Sequence, residues 1–276
     1  MASPVHVTLF RPSGQLASYI RYFQVLTTAS SARASLLDFG GADVSVPLCF
    51  GNPLLVEDWD RAEVQSAAVV GPRRHAVWLA LNGGIDQINI SFFPGAAGSF
   101  VGLSMAELVD EMAAPGDVWP RQFRQALADL APLSAEQRVA RLSQLLLSRL
   151  EPRRALHPQV HEAVRRIRQM RGRVRVAWLA HEVNLSLSQL ERAFKDQIGL
   201  TPKLLARQTR VAAVAADAMR HGPPAWARLA VNYGYADQAH FARDFRDLTG
   251  LTPSEFFRTG EDAEFLQDAL ARPRRG

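Results

Sequence analysis

The sequence predicts an α+β chain in two domains: an N-terminal β-barrel or sandwich with trailing helices, then an all-α C-terminal region. Three observations carry that prediction. Short strand-like runs broken by Gly/Pro turns fill the first ~115 residues. The hydrophobic period lengthens beyond residue 120, and one helical segment recurs at an offset of 51 residues. A chain of 276 residues is long for one domain and comfortable for two.

In chain order, 6–10, 21–28, 43–51, 52–59, 75–81 and 87–93 are short and rich in β-branched or aromatic residues. The turn clusters "RPSG", "FGGAD", "VGPRR", "NGGID" and "FPGAAG" separate them, which suits a barrel or sandwich. Residues 1–115 therefore form the β-rich region, although "MAELVDEM" (105–112) has a helical period. Segments 121–131 and 134–150 read as amphipathic helices, the second opening on a Ser134/Gln137 capping box. The apolar face Val139, Leu142, Leu145 and Leu146 suits either packing onto the sheets or dimerisation, so 116–150 is a helical segment open to both roles. Residues 151–157, "EPRRALH", read as a linker. Helices follow at 159–171, 176–183, 187–197, 203–220, 225–232 and 238–248, and 259–276 is a C-terminal tail.

Charge divides along the same line. Residues 1–110 carry six basic and nine acidic side chains; residues 153–258 carry eighteen basic and nine acidic. Arginine forks suit phosphates and guanine edges. No apolar run reaches the ~18–20 residues of a membrane span, and the N-terminus lacks a secretory pattern. With Cys49 as the sole cysteine, a cytoplasmic protein without membrane association is expected.

The repeat carries the functional reading. "LSLSQLERAFKDQIGLTP" (185–202) and "ADQAHFARDFRDLTGLTP" (236–253) share Arg192/Arg243, Phe194/Phe245, Asp196/Asp247 and the terminal "GLTP". Ser186 and Asp237 occupy N-cap positions. Asn184 and Gly234 sit in turns that need left-handed backbone, and Gly199 and Gly250 stop the helices. Leu190, Phe194 and Ile198, with Phe241, Phe245 and Leu248 in the second copy, form buried stripes. Ser188, Glu191, Arg192 and Lys195 then face outward in one copy. Gln238, Ala239, Ala242, Arg243 and Arg246 do so in the other, with His240 alongside. Each copy is a helix-turn-helix, 176–197 and 225–248. The connector 203–221 is one helix of about 28 Å, a length that lets two readers enter successive major grooves about 34 Å apart.

"GYADQAHFARDFRDLTGLTP" (234–253) resembles the signature of the AraC/XylS family of transcription regulators, and "LAHEVNLSLSQLERAFKDQIGLTP" resembles its partner copy. The resemblance covers 158–258. It implies DNA-facing roles for Ser188, Glu191, Arg192, Gln238, Ala239, His240 and Arg243, and a core position for Trp226. The pieces "FRPSGQLASYIRYFQVL", "VVGPRRHAV" and "INISFFPGAAGSFVGLSMAELVDEM" resemble the sensor-like region of a less characterised branch, which implies a cupin-like barrel.

Double-stranded DNA is thus the expected partner, with RNA polymerase, a small-molecule effector and a homodimer left open as further partners. Only His6 and His75 precede residue 150, so neither a metal nor a cofactor is expected. Phosphate loops and nucleophile motifs are absent, and Cys49 has apolar neighbours, so the chain is not read as an enzyme. Arg73, Arg74 and His75 suit an effector carboxylate if they face a barrel mouth, with Trp59, Trp78 and Phe92 lining an apolar pocket; the alternative places the aromatics in the core and the arginines in water. Two readings compete with an effector-controlled regulator: a helical adaptor without specific DNA binding, and a regulator that needs no effector.

Overall fold

A computed structural model describes residues 5–30, 34–56, 62–64, 67–81, 83–151, 156–221 and 226–262. The N-terminal part is sheet-rich. Its strands are β1 (Val5–Phe10), β2 (Ile20–Thr28), β3 (Ala34–Asp38), β4 (Ser45–Cys49) and β5 (Leu54–Val56), then β6 (Ala62–Val64), β7 (Val69–Val70), β8 (Val77–Leu81), β9 (Asp86–Phe92) and β10 (Met112–Ala113). They form two antiparallel sheets, ordered β1-β2-β9-β4-β7-β10 and β3-β8-β5-β6. All six sequence-predicted strands are present at their cores; residues 57–59 of the fourth, Trp59 among them, lie outside the described residues.

The larger sheet rests on four helices: α1 (Gly98–Val101), α2 (Pro115–Val118), α3 (Arg121–Ala128) and α4 (Ala135–Arg149). Phe23, Val46, Ile88 and Ile90 from the strands pack with Phe100, Phe123, Leu142 and Leu146 from the helices and with Trp119 just after α2. Val139 and Leu145 lean on the same core, so the apolar face of α4 is buried within the chain. Ser134 and Gln137 make the expected capping box. One charge is buried beneath this helix. Arg138 holds both Asp86 oxygens at 2.6 and 2.9 Å, donates to the carbonyls of Leu130 and Ala131, and lies 4.2 Å from the Phe50 ring. Every donor nitrogen of the guanidinium has an acceptor, which makes its burial tolerable.

Segment 105–112 corrects the sequence expectation. It is not a helix: 105–110 are turns, Asp110 has φ 58°, and Met112–Ala113 pair with Val69–Val70. The Asp110 carboxylate accepts from the Arg74 backbone at 2.7 Å and from the Arg74 side chain. Long-range pairing there overrides a local helical period.

The C-terminal part is helical: α5 (Pro158–Gln169), α6 (Val176–Glu182), α7 (Leu187–Ile198), α8 (Pro202–His221), α9 (Trp226–Asn232), α10 (Gln238–Thr249) and α11 (Pro253–Asp262). The last was not expected. Most of the anticipated linker (152–155), the Gly222–Pro224 stop and the tail beyond 262 lie outside the described residues. Two cores organise this part, and both draw residues from the sheet-rich part. Ala42 is buried with Val164, Leu179, Leu190, Phe194 and Leu205. Leu37, with Phe39 and Trp78 against it, packs with Val214, Tyr233, Phe241, Phe245 and Phe256.

Candidate nucleic-acid interface

Each reader is built from local signals that agree. In the first, Asn184 takes φ 55° in the turn between α6 and α7. Ser186 then accepts the Gln189 N–H at 3.2 Å, while the Gln189 side chain accepts the Ser186 N–H at 2.8 Å. In the second, Gly234 takes φ 78° and Asp237 accepts the His240 N–H at 2.6 Å. These caps serve amides that a helix start leaves unpaired. Gly199 and Gly250 end α7 and α10 at φ 82° and 76°. The "GLTP" after each does double duty, since Thr201 and Thr252 accept the first-turn N–H groups of α8 and α11 at 3.2 Å.

The buried stripes are those predicted: Leu190, Phe194, Ile198, Phe241 and Phe245 are fully enclosed and Leu248 nearly so. Trp226 stacks on Phe241 with centroids 5.9 Å apart, the core role expected of it. On the other side Ser188, Glu191, Arg192 and Lys195 are all exposed, as are Gln238, Ala239, Arg243 and Arg246. His240 is half-buried because its ring stands edge-on to Tyr235, 5.3 Å away. Among the described residues, Arg192, Lys195, Arg243 and Arg246 form no ion pair at contact distance. Arg192, Lys195 and Arg243 are therefore free to meet an external anion, while Arg246 also lies within electrostatic reach of Glu255.

A single helix carries both readers. Leu205 and Ala206 of α8 lie in the first reader's core, and Val211, Val214 and Ala215 in the second's. Its twenty residues span about 30 Å. Midway, Arg207 donates to the buried Asp244 of α10 at 2.8 Å and to Asp247 at 3.2 Å. Burial, with Asp244 close by, pushes the Tyr235 phenol well above its usual value, so that ring stays neutral beneath the second reader.

Residues 179–259 match a family model described as a helix-turn-helix domain, and residues 8–114 match a domain of unknown function. The arabinose operon regulatory protein of Escherichia coli (strain K12) is 32% identical over 122 residues, covering 42% of this chain and 41% of that protein. The match over 179–259 agrees with the AraC/XylS resemblance carried by the repeat. This chain spans about two-fifths of the length of that curated relative. Among solved structures, ToxT from Vibrio cholerae aligns at TM-score 0.46 and 11% identity, covering 93% of this chain and 99% of that one. The C-terminal domain of AraT, a response regulator from Geobacillus stearothermophilus, aligns at TM-score 0.35 and 24% identity, with 38% and 87% covered.

The residues singled out for an effector have partners within the chain. Arg73 is buried and pairs with Asp38 at 2.5 Å, and Arg74 pairs with Asp110. His75 Nδ1 lies 3.1 Å from the Asp247 carbonyl of α10, and Trp78 packs into the second reader's core. Phe92 is core, against Phe100. These groups form the seam between the sheets and the two helix-turn-helix units. Sequence reasoning missed that seam, because Gln208 sits among Arg207, Thr209 and Arg210 and nothing local sets it apart. Gln208 is 4% exposed and donates to the Arg73 and Arg74 carbonyls at 2.7 and 3.1 Å.

Proposed function

We propose that this protein is a sequence-specific DNA-binding transcription regulator, with α7 and α10 as recognition helices in successive major grooves. The observation that carries the reading is the duplicated, capped helix with exposed Arg192 and Arg243 at matching positions, both copies seated on one helix. In this reading Arg192 and Arg243 reach base edges, Lys195 and Arg246 neutralise phosphates, and Ser188, Glu191, Gln238, Ala239 and His240 complete the reading faces. Leu187, 46% exposed at the start of α7, suits a thymine methyl group. A regulator so placed recruits or obstructs RNA polymerase in the cytoplasm. The sheet-rich part is the cupin-like sensor, residues 158–258 the DNA-binding unit, and no second copy is needed to bring two readers to one site.

Site selection with the full chain on random duplexes, followed by titration at several salt concentrations, tests this. The two neutralised phosphates give a slope of log affinity on log salt of about −2. An adaptor without DNA binding yields no enriched sequence and no such slope, and that outcome rejects the proposal.

A further inference from the structure

Both recognition helices end on the sheet-rich part. The Leu248 carbonyl of α10 accepts the Ala76 N–H at 2.7 Å, and His75 Nδ1 stands 3.1 Å from the Asp247 carbonyl. Phe39 meets Phe245 and Phe256 edge-on, at 6.2 and 5.3 Å. The end of α7 rests on the turn after β9 and on the 105–109 turns. A β-carbon on Gly199 would lie 2.6 Å from the Met105 carbonyl, and one on Gly95 would lie 2.8 Å from the Gln197 carbonyl. Between these two points, Gln208 fastens the middle of α8 to the 71–76 loop.

We propose that the sheet-rich part sets the spacing and rotational phase of the two readers on DNA, with Gln208, His75 and Gly199 as positioning residues. The inference rests on the DNA-reading assignment above. A shared helix fixes how far apart two bodies lie, but it resists rotation about its own axis only through their side-chain packing. The two readers are also joined directly by Arg171 to the Tyr233 hydroxyl at 3.0 Å and by Arg173 to the Asn232 carbonyl at 3.2 Å. Two hydrogen bonds from exposed arginines are a weak constraint on a rotation of whole helices. Attachment of both helix ends to one set of sheets adds contacts away from the α8 axis and closes a ring of three bodies. One added base pair moves a groove by about 3.4 Å and turns it by about 34°. A closed ring resists that turn; an open one yields to it.

The glycines supply a matched pair of variants. Gly199 and Gly250 both cap recognition helices at positive φ, so alanine strains the backbone similarly at each. Only Gly199 touches the sheet-rich part; a β-carbon on Gly250 meets nothing within 4 Å. The experiment titrates full-length protein on its selected duplex and on duplexes with one base pair inserted or deleted between the two boxes. Wild type and Gly250→Ala should lose at least 10-fold on respacing. Gly199→Ala and Gln208→Ala should lose less than 3-fold, each keeping its affinity for a duplex with a single box. If Gly199→Ala does not fold, Gln208→Ala decides alone, since it removes two hydrogen bonds and introduces no clash. Unchanged respacing penalties in the folded variants overturn the positioning role and leave DNA reading intact. Loss of all sequence preference in the wild type overturns the DNA-reading assignment instead.

Discussion

Arg192→Ala and Arg243→Ala test whether the two helices read separate boxes. Both side chains are exposed and unpaired among the described residues, so each substitution should leave folding stability within about 0.5 kcal/mol. Losing one base-reading arginine removes about 1–3 kcal/mol of binding, roughly a 5- to 150-fold weakening. The helices are seated on opposite halves of a connector about 30 Å long, beyond the range where effects couple, so the double variant should lose the sum, about 2–6 kcal/mol. Anisotropy titrations use the selected duplex and two derivatives with one box scrambled. Arg192→Ala should become indifferent to scrambling its own box and stay fully sensitive to the other; Arg243→Ala should show the converse. If each variant remains equally sensitive to both boxes, the arginines hold phosphates and the assignment of one helix to one box is wrong.

Three further outcomes follow from named contacts. Asp237→Ala removes the acceptor for the His240 N–H and should lower stability by about 1 kcal/mol in urea titrations, with Asp237→Asn largely retaining it. Arg138→Ala leaves Asp86, about a third exposed, without its partner. It should cost about 3 kcal/mol, whereas a loss under 1 kcal/mol would show that water already compensates Asp86. Glu162 is held at about 2 by hydrogen bonds from Arg165 and Arg166. A carboxylate depressed by folding stabilises above its unfolded value near 4.5 and loses that contribution as pH falls through 2. At the surface the effect is small, so Glu162→Gln should flatten the acid limb of the stability curve by about 0.5 kcal/mol at low salt. Superimposable curves for the two proteins would contradict it.

The readers were legible because their signals are local. Ser186 with Gln189, Asp237 before a helix, and glycine at each stop act within one turn, so the residues alone place them. The same grammar announces α11, since Thr252 accepts the Glu255 N–H and Glu255 accepts the Thr252 N–H at 2.7 Å; that capping box was there to be read. What the sequence hid depends on distant partners. "MAELVDEM" has a helix period, but Asp110 is claimed by Arg74 and its neighbours by β7. "ASLLD" becomes β3 by pairing with β8. Arg73, Arg74 and His75 resemble an anion site until Asp38, Asp110 and α10 occupy them. Arg138 looks like a surface cation until Asp86, fifty-two positions away, meets it.

The seam also constrains how such a protein diverges. Grafting these helices behind a foreign N-terminal half would strand the Gln208 amide and the Leu248 carbonyl, each left without its mate in a place water reaches poorly. Phe245 and Phe256 would lose the ring that covers them. Chimaeras at this junction should therefore be sticky and poorly soluble, and among natural descendants, changes at positions 39 and 73–76 should travel together with changes at 208, 245, 248 and 256.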